Sequence, residues 1–336
     1  MITENESQFR PGEAARQVAH GVEEAMRADM DEALRDCDPL LAEVLAYAIF
    51  GGGKRIRPLL AVLSSAICGR HDKPLYLLAA ALEYLHVATL IHDDVIDHAR
   101  TRRGRESVRN RYGMAVAILA GDWLHARSMH LIGQLTGPDG LSVFCRATGA
   151  MVDGEYLQIR HNGDVDMTEE QYFAIIGRKT ASLIASTCML GAMFAGAPDR
   201  QQQALGLYGE KVGIAFQVVD DLLDYLGDQE TTGKKVGNDF IEGKITLPLI
   251  AAFARADMQQ RVVLGDLLRG DRSDPEACRQ LREIVERSGG FAYARQQAEK
   301  LVNEAVAALD IFQHQGDPDS YRQLVGIAGY ILARKR

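Results

Sequence analysis

Cysteine and proline are scarce in this sequence, and long apolar runs are absent. The 336 residues include five cysteines and nine prolines. The cysteines are odd in number, widely scattered and without any Cys-x-x-Cys spacing, which argues against a disulfide framework and against a thiolate zinc site. The apolar runs are far shorter than the roughly 18 residues that indicate a membrane span, and no secretory signal is visible. We therefore expect a cytoplasmic protein without a membrane span.

Positive charge is in the minority as well. The chain has 38 Lys and Arg against 46 Asp and Glu, so its formal net charge is −8. Proteins that bind the phosphate backbone of nucleic acids rely on broad basic surfaces, which this composition does not provide. We expect no nucleic-acid partner, although a small anionic ligand held by a local basic cluster is compatible with this charge.

Strand-like alternation is scarce, and helical periodicity takes its place. Leu75, Leu78, Leu82 and Leu85 recur on one helical face of a segment that runs to Asp97. The same periodicity recurs in residues 115–135, 168–196, 201–227 and 291–309. The breaks between these segments are too short for domain linkers. The sequence therefore predicts a single all-α domain over residues 1–336, with residues 1–10 loosely ordered.

Two aspartate motifs with identical spacing interrupt the apolar helices. They are Asp93-Asp94-Val95-Ile96-Asp97 and Asp220-Asp221-Leu222-Leu223-Asp224. Because helix positions i and i+4 share a face, the first and last aspartate of each motif project together. Like charges at this spacing repel one another, and burial raises the cost, so cations must offset them. Two copies, each after an apolar run, indicate metal sites more than solvated acidic patches.

The donor types in these motifs favour one metal. Carboxylate oxygens without nearby Cys or paired His suit Mg²⁺, which usually bridges carboxylates to substrate phosphates. Zinc would require nitrogen or sulfur donors. A di-iron bundle would require two Glu-x-x-His motifs, and only Glu83-Tyr84-Leu85-His86 is present. The sequence therefore predicts magnesium.

Basic residues cluster in two places close to these motifs. The glycines 51–53 lead into Lys54, Arg55 and Arg57, without the spacing of a Walker A loop. Four arginines follow the first aspartate motif, at Arg100, Arg102, Arg103 and Arg105. Guanidinium groups clamp diphosphates in a bidentate manner, but they also simply neutralise carboxylates. The pattern alone leaves both interpretations open.

Taken together, the motifs resemble those of the trans-isoprenyl diphosphate synthases, the polyprenyl synthetase family. The resemblance begins at about residue 40 and continues to the end of the sequence. Besides the aspartate motifs it rests on Gly52-Gly53-Lys54-Arg55-Ile56-Arg57-Pro58, Arg102-Arg103-Gly104, Gly154-Glu155-x-x-Gln158, Arg178-Lys179-Thr180-Ala181, Phe216-Gln217, Gly233-Lys234-x-x-Gly237-Asn238-Asp239 and Glu242-Gly243-Lys244-x-Thr246-Leu247-Pro248.

The resemblance implies a fold and an activity. The fold would be one large orthogonal helix bundle of the isoprenoid synthase type, with a central cavity between two facing D-D-x-x-D helices. The activity would be that of a prenyltransferase, which joins isopentenyl diphosphate 1′–4, head to tail, to an allylic diphosphate such as farnesyl or geranyl diphosphate. The leaving diphosphate creates an allylic cation, so no protein nucleophile is needed. A homodimer is also implied.

The resemblance further implies roles for individual residues. Three Mg²⁺ ions, with Mn²⁺ as a substitute, would bind to Asp93, Asp94, Asp97, Asp220, Asp221 and Asp224. The allylic diphosphate would in addition contact Arg102, Lys179, Lys234 and Lys244. Isopentenyl diphosphate would bind without metal to Lys54, Arg57, His86 and Arg103. The residues expected to take part in catalysis are Asp93, Asp97, Arg102, Lys179, Thr180, Gln217 and Lys234.

Small residues before the first motif bear on product length. Ala88 and Thr89 precede Asp93 by five and four positions, where short-chain members of the family typically carry a bulky aromatic. One helical turn spans ~5.4 Å, roughly one isoprene unit. We expect a pocket lined by Ala88 and Thr89, with a floor on helix 115–135, and a product of about C40 for quinone side chains, released to a membrane. A geranylgeranyl or farnesyl product, or a non-catalytic subunit, are the alternatives.

Overall fold

Helices make up nearly all of the computed structural model, which describes residues 12–226 and 237–334. The fifteen α-helices of the described ranges are α1 (Glu13–Ala33), α2 (Pro39–Ile49), α3 (Ile56–Ile67), α4 (Pro74–Ile96), α5 (Val108–Tyr112), α6 (Met114–Arg160), α7 (Glu169–Ile176), α8 (Ser182–Phe194), α9 (Asp199–Leu226), α10 (Asn238–Glu242), α11 (Leu247–Arg255), α12 (Met258–Arg269), α13 (Pro275–Arg287), α14 (Gly290–Ala308) and α15 (Pro318–Ala333). The all-α prediction is confirmed. Residues 1–10, predicted to be loose, lie outside the described residues.

Three short elements join these helices. A hairpin of β1 (Thr101–Arg102) and β2 (Arg105–Glu106) follows α4 and is the one sheet of the described ranges. A π-helical turn, Gly177–Ala181, joins α7 to α8, and a 3₁₀ turn, Asp310–Phe312, follows α14. Helix α6 bends at residues 136–140, where Gly137 has φ 70° and Pro138 follows it.

The scarce prolines mark where helices begin. Five of the nine occupy the first or second position of a helix, where the missing N–H costs nothing. Side chains complete several of these starts: the Asp38 carboxylate accepts from Leu40 N, and Thr168 and Gln171 form a reciprocal capping box at α7. Local sequence therefore sets the helix boundaries around the core.

Helix α4 lies inside the bundle, in contact with α1, α3 and α6. Its four periodic leucines are all buried, as their spacing predicts. Helix α9 packs against α8 and α14. Buried apolar side chains from Val18 to Ile331 form one contiguous core among the described residues. The single domain stays a prediction.

Two described helical segments are long and apolar enough to cross a bilayer by length and composition, α4 and residues 169–194. Of the most apolar stretch of each, 67% and 50% is buried inside the bundle. Core helices of soluble proteins share this composition, so their apolar character is accounted for by packing.

Two glycines allow the π-helical turn to fit between α6 and α9. A β carbon on Gly154 of α6 would lie 2.5 Å from Lys179 N, and one on Gly213 of α9 would lie 2.6 Å from Ala181 Cα. Backbone atoms cannot yield as a flexible side chain does. These glycines therefore set the distance at which both helices hold the turn that carries Lys179 and Thr180.

This packing makes a prediction about Gly154→Ala. The added methyl should push α6 away from the turn and lower the free energy of unfolding by about 1–3 kcal/mol, the usual cost of overpacking. Gly149→Ala is the matched control, because a β carbon there meets nothing within 4 Å and alanine favours the helix. Urea unfolding measures both variants, and equal stability of the two would contradict the account.

Candidate active site

Both aspartate motifs lie at the C-terminal ends of their helices and border the same charged region. Asp93 lies in the last turn of α4, and Asp97 follows the helix as its cap. Asp224 lies in the last turn of α9. The Lys244 ammonium favours the ionised forms of both Asp97 and Asp224, so it is close to both motifs. The facing arrangement expected from the sequence is therefore present.

In the first motif the middle aspartate turns inward. Asp94 is 3% exposed and accepts two hydrogen bonds on Oδ1, from Arg102 Nε at 2.9 Å and Nη2 at 2.6 Å. Asp93 points elsewhere: burial raises its pKa to about 6, while Lys179 opposes this shift and Glu155 adds to it. Burial, followed by Glu242, also raises the pKa of Asp97.

The middle aspartate of the second motif is buried in the same way. Asp221 is 4% exposed and accepts from Tyr172 Oη at 2.6 Å and Gln217 Nε2 at 2.8 Å. Burial and the neighbouring Asp239 raise its pKa well above the usual value. Since each middle carboxylate is already bonded to protein donors, the predicted ligand roles of Asp94 and Asp221 stay predictions.

The outer aspartates of the second motif have different partners. Asp220 Oδ1 accepts from Arg334 Nη2 at 2.9 Å, across 114 residues of sequence. Asp224 accepts from the backbone N–H groups of Asn238 and Asp239 at 3.2 and 3.0 Å, at the start of α10. Burial, followed by Asp239, raises the pKa of Asp224 to about 6 despite these donors.

The donor set fits a divalent ion that takes part of its coordination from a ligand. Asp93, Asp97, Asp220 and Asp224 offer only hard oxygens. Within the described residues, no three His, Cys, Asp or Glu side chains converge to hold an ion by themselves. Mg²⁺ is bound in this manner, by one or two carboxylates together with substrate phosphates and water. The residues present therefore fit the ion that the sequence predicts.

Lysines supply positive charge on the same side. Lys179 Nζ lies 2.5 Å from Glu155 Oε2. Lys244 Nζ lies 2.6 Å from Glu242 Oε2 and 3.3 Å from Asp239 Oδ1. Burial alone would lower the pKa of Lys244, but Asp239 and Glu242 raise it above the usual value, so the ammonium stays charged. Lys234, the third predicted lysine, lies outside the described residues.

A chain of hydrogen bonds orders the polar groups between the motifs. Thr180 Oγ1 donates to Gln217 Oε1 at 2.9 Å, and Gln217 in turn donates to Asp221. The hydroxyl proton of Thr180 is thereby committed to the amide. Its oxygen lone pairs remain to face an electron-poor centre, as the expected role of Thr180 and Gln217 requires.

Basic groups form a second cluster around His86. Arg103 Nη1 donates to the carbonyl of Gly52, and the buried Nε of Arg57 has no hydrogen-bond partner among the residues that the structure describes. Burial, followed by Arg57 and Arg103, lowers the pKa of His86 to about 2. A neutral imidazole beside guanidinium groups is an arrangement that suits an anion. Lys54 is exposed on the same loop.

The proposed chain-length residues lie between the two clusters. Ala88 is buried, and Thr89 Oγ1 donates to the carbonyl of His86 at 2.8 Å. Helix α6 runs antiparallel to α4 here, because Ser128 bonds to the carbonyl of Ala81 whereas His92 contacts Ile118. The small side chains therefore lie on α4 in the stretch that packs against the antiparallel part of α6.

The sequence patterns do not predict a role for several residues of the site. Glu155 and Asp239 each belong to one of the family motifs given above, so their presence in the site could have been predicted. Tyr172 and Arg334 have no local signal, since their partners lie 49 and 114 residues away. The sequence gives no pairing for Glu83, which pairs with Arg55 in the structure.

The lowered pKa of His86 leads to a test by NMR. With a pKa of about 2, the imidazole stays neutral at every pH above that value, whereas an ordinary histidine titrates near 6.5. We expect the His86 ring nitrogens to keep constant chemical shifts from pH 5 to 8. The His86→Gln variant assigns the resonances, because they are missing from its spectrum. A His86 midpoint near 6.5 would contradict a buried imidazole with cationic neighbours.

The chain is similar to known proteins along most of its length. The family model described as Polyprenyl synthetase matches residues 38–285. Octaprenyl diphosphate synthase of Escherichia coli is 34% identical over 299 residues, which cover 88% of this chain and 91% of that protein. Geranylgeranyl diphosphate synthase of Sulfolobus acidocaldarius is 32% identical and covers 89% of this chain and 92% of its own.

A solved structure extends the comparison to the fold. The polyprenyl synthase of Caulobacter crescentus CB15, complexed with calcium and isoprenyl diphosphate, superposes with a TM-score of 0.85. Its sequence identity is 33%, and the match covers 96% of each chain. The isoprenoid synthase fold expected from the motifs is therefore confirmed. The chain belongs to the polyprenyl synthetase family, and it is a prenyltransferase.

Proposed function

We propose that this prenyltransferase adds isopentenyl diphosphate units, 1′–4 and head to tail, to an allylic diphosphate, and that its product is an all-trans chain of about C40. One observation carries the proposal. The consecutive residues Arg102 and Arg103 connect two anion sites, one made mainly of carboxylates and the other of cationic side chains. Arg102 bonds to Asp94 of the aspartate site, and Arg103 bonds to the glycine turn beside His86. Two diphosphates can thus be held side by side.

The allylic diphosphate would lie at the aspartate site. Asp93 and Asp97 on one side, and Asp220 with Asp224 on the other, would hold Mg²⁺, or Mn²⁺ in its place. When bound, these ions supply Lewis-acid neutralisation of the leaving diphosphate. Arg102, Lys179 and Lys244 add charge-assisted hydrogen bonds to the same group, and Lys234 keeps its proposed role there.

Isopentenyl diphosphate would lie at the basic site. Lys54, Arg57 and Arg103 provide its cations, and neutral His86 a hydrogen bond. The allylic C1–O bond breaks toward the leaving diphosphate, and C4 of isopentenyl diphosphate forms the new bond to C1. A proton from C2 then passes to the released diphosphate. The Thr180 hydroxyl and the Gln217 amide oxygen face the cation, so no protein nucleophile takes part.

A long product is the finer part of the proposal. It rests on the small size of Ala88 and Thr89 ahead of the first aspartate motif. The relatives named above include both an octaprenyl and a geranylgeranyl synthase. A geranylgeranyl or farnesyl product is the alternative. A non-catalytic subunit is disfavoured, because all six motif aspartates, Lys54 and Arg57 are present. Use of the product in quinone side chains, its release to a membrane and a cytoplasmic location remain part of this proposal.

Exposed apolar side chains on α6 support a homodimer. Before its bend at Gly137, α6 exposes Met114, Ile118 and Leu119. After the bend it exposes Val152, Tyr156 and Ile159. Tyr156 and Leu119 are 71% and 65% exposed, which is costly for large apolar groups in water. We therefore place the subunit interface on α6.

The activity is tested by incubation with labelled isopentenyl diphosphate, farnesyl diphosphate and Mg²⁺, followed by chromatography of the dephosphorylated products. We expect a main product of about C40 and no product in EDTA. Asp97→Asn should lower kcat/KM at least about 100-fold, because it removes a carboxylate that would hold Mg²⁺ against the leaving diphosphate. A main product of C15 or C20 would support the short-chain alternative, and no elongation with Mg²⁺ would contradict the proposal.

Product length also tests the position of the pocket. Thr89→Phe should place a ring one helical turn from Asp93 and shorten the product, while the first condensation continues. Thr89→Ser is the matched control, since it keeps both the small size and the hydrogen bond to His86. An unchanged product in Thr89→Phe would mean that the chain does not grow along this face of α4.

A further inference from the structure

We infer that Arg55 and Glu83 form a positioning pair for isopentenyl diphosphate: they hold the turn that presents Lys54 and Arg57 and never touch the substrate themselves. The inference rests on the proposed function of the basic site. It adds two residues to which that function assigns no role.

The pair is buried and tied at both ends. Arg55 Nη1 lies 2.6 Å from Glu83 Oε1, and Arg55 Nη2 donates to the carbonyl of Ile49 at 2.7 Å. The two side chains are only 10% and 2% exposed. The guanidinium therefore links the last residue of α2 to the middle of α4. Because Arg55 is 10% exposed and both of its terminal nitrogens already bond to protein acceptors, we assign it to the turn and not to a diphosphate.

The backbone of Arg55 explains why the turn needs this anchor. Arg55 has φ 49° and ψ 38°, a left-handed conformation that is unfavourable for a residue with a side chain. It precedes α3 directly, and no side-chain cap secures the start of that helix. Lys54 and Arg57 lie on either side of it. Release of Arg55 would let the backbone relax, and both substrate cations would move.

Glu83 has a second effect through its charge. Burial lowers the pKa values of Arg57 and Arg103, and the carboxylate of Glu83 opposes this shift at both. Glu83 also lies one helical turn before His86 on α4. It therefore offsets the mutual repulsion of the guanidinium groups and keeps them charged and close together.

The two single variants separate positioning from net charge. Arg55→Gln removes a cation and Glu83→Gln removes an anion, so charge alone would change the affinity for isopentenyl diphosphate in opposite directions. Positioning predicts that both variants raise KM for isopentenyl diphosphate about tenfold, with KM for farnesyl diphosphate unchanged within about twofold. The double variant should be no worse than the poorer single one, because the same link is broken.

The control is a second buried ion pair, which joins α1 to α6. Asp29 binds Arg127, and its side chain is 4% exposed. Asp29→Asn should lower the melting temperature but leave KM for isopentenyl diphosphate unchanged. Arg55→Lys should restore only part of the affinity, since one ammonium replaces a two-pronged guanidinium.

Binding is measured in parallel by calorimetry with isopentenyl diphosphate in EDTA. If the wild-type protein neither binds nor elongates it, the proposed function fails. If the wild type does both, opposite changes in the two single variants, or affinities equal to wild type in both, would overturn the inference. Weaker binding in both, with Asp29→Asn unaffected, would support it.

Discussion

The structure depends on the burial of carboxylates at the ends of two apolar helices. A buried carboxylate is tolerated only when donors or cations surround it, and each motif meets this condition in its own way. Asp94 is bonded to Arg102, and Asp221 to Tyr172 and Gln217. These inward bonds fix the ends of α4 and α9. The outer aspartates are thereby left to face the charged region with Lys244.

The same constraint explains why two anion sites can lie side by side. Arg102 is drawn to Asp94, and the left-handed backbone of Arg103, with φ 53°, turns the next side chain toward the glycine turn. The β1–β2 hairpin thus supplies one arginine to the aspartate site and the next arginine to the basic site. In the basic site, burial and the neighbouring guanidinium groups keep His86 neutral, and we assign the Arg55–Glu83 pair to holding the turn that carries Lys54 and Arg57.

Much of the fold and of the site can be predicted from this sequence, because the informative patterns lie within single helices. The spacing of Leu75, Leu78 and Leu82 predicts the buried face of α4, and the aspartate spacing predicts which carboxylates share a face. It could not assign Tyr172 or Arg334, whose partners are distant in sequence. Nor could it reveal the π-helical turn that carries Thr180, since close packing against two glycines, not residue preference, accommodates it.

The central claim is that one site binds a diphosphate through metal held by carboxylates, while the other binds a diphosphate directly. Calorimetric titration of unreactive farnesyl thiolodiphosphate and of isopentenyl diphosphate, each with Mg²⁺ and with EDTA, tests this claim most directly. The account predicts that the farnesyl analogue binds only with Mg²⁺, whereas isopentenyl diphosphate still binds in EDTA. Equal dependence of both ligands on the metal would contradict it.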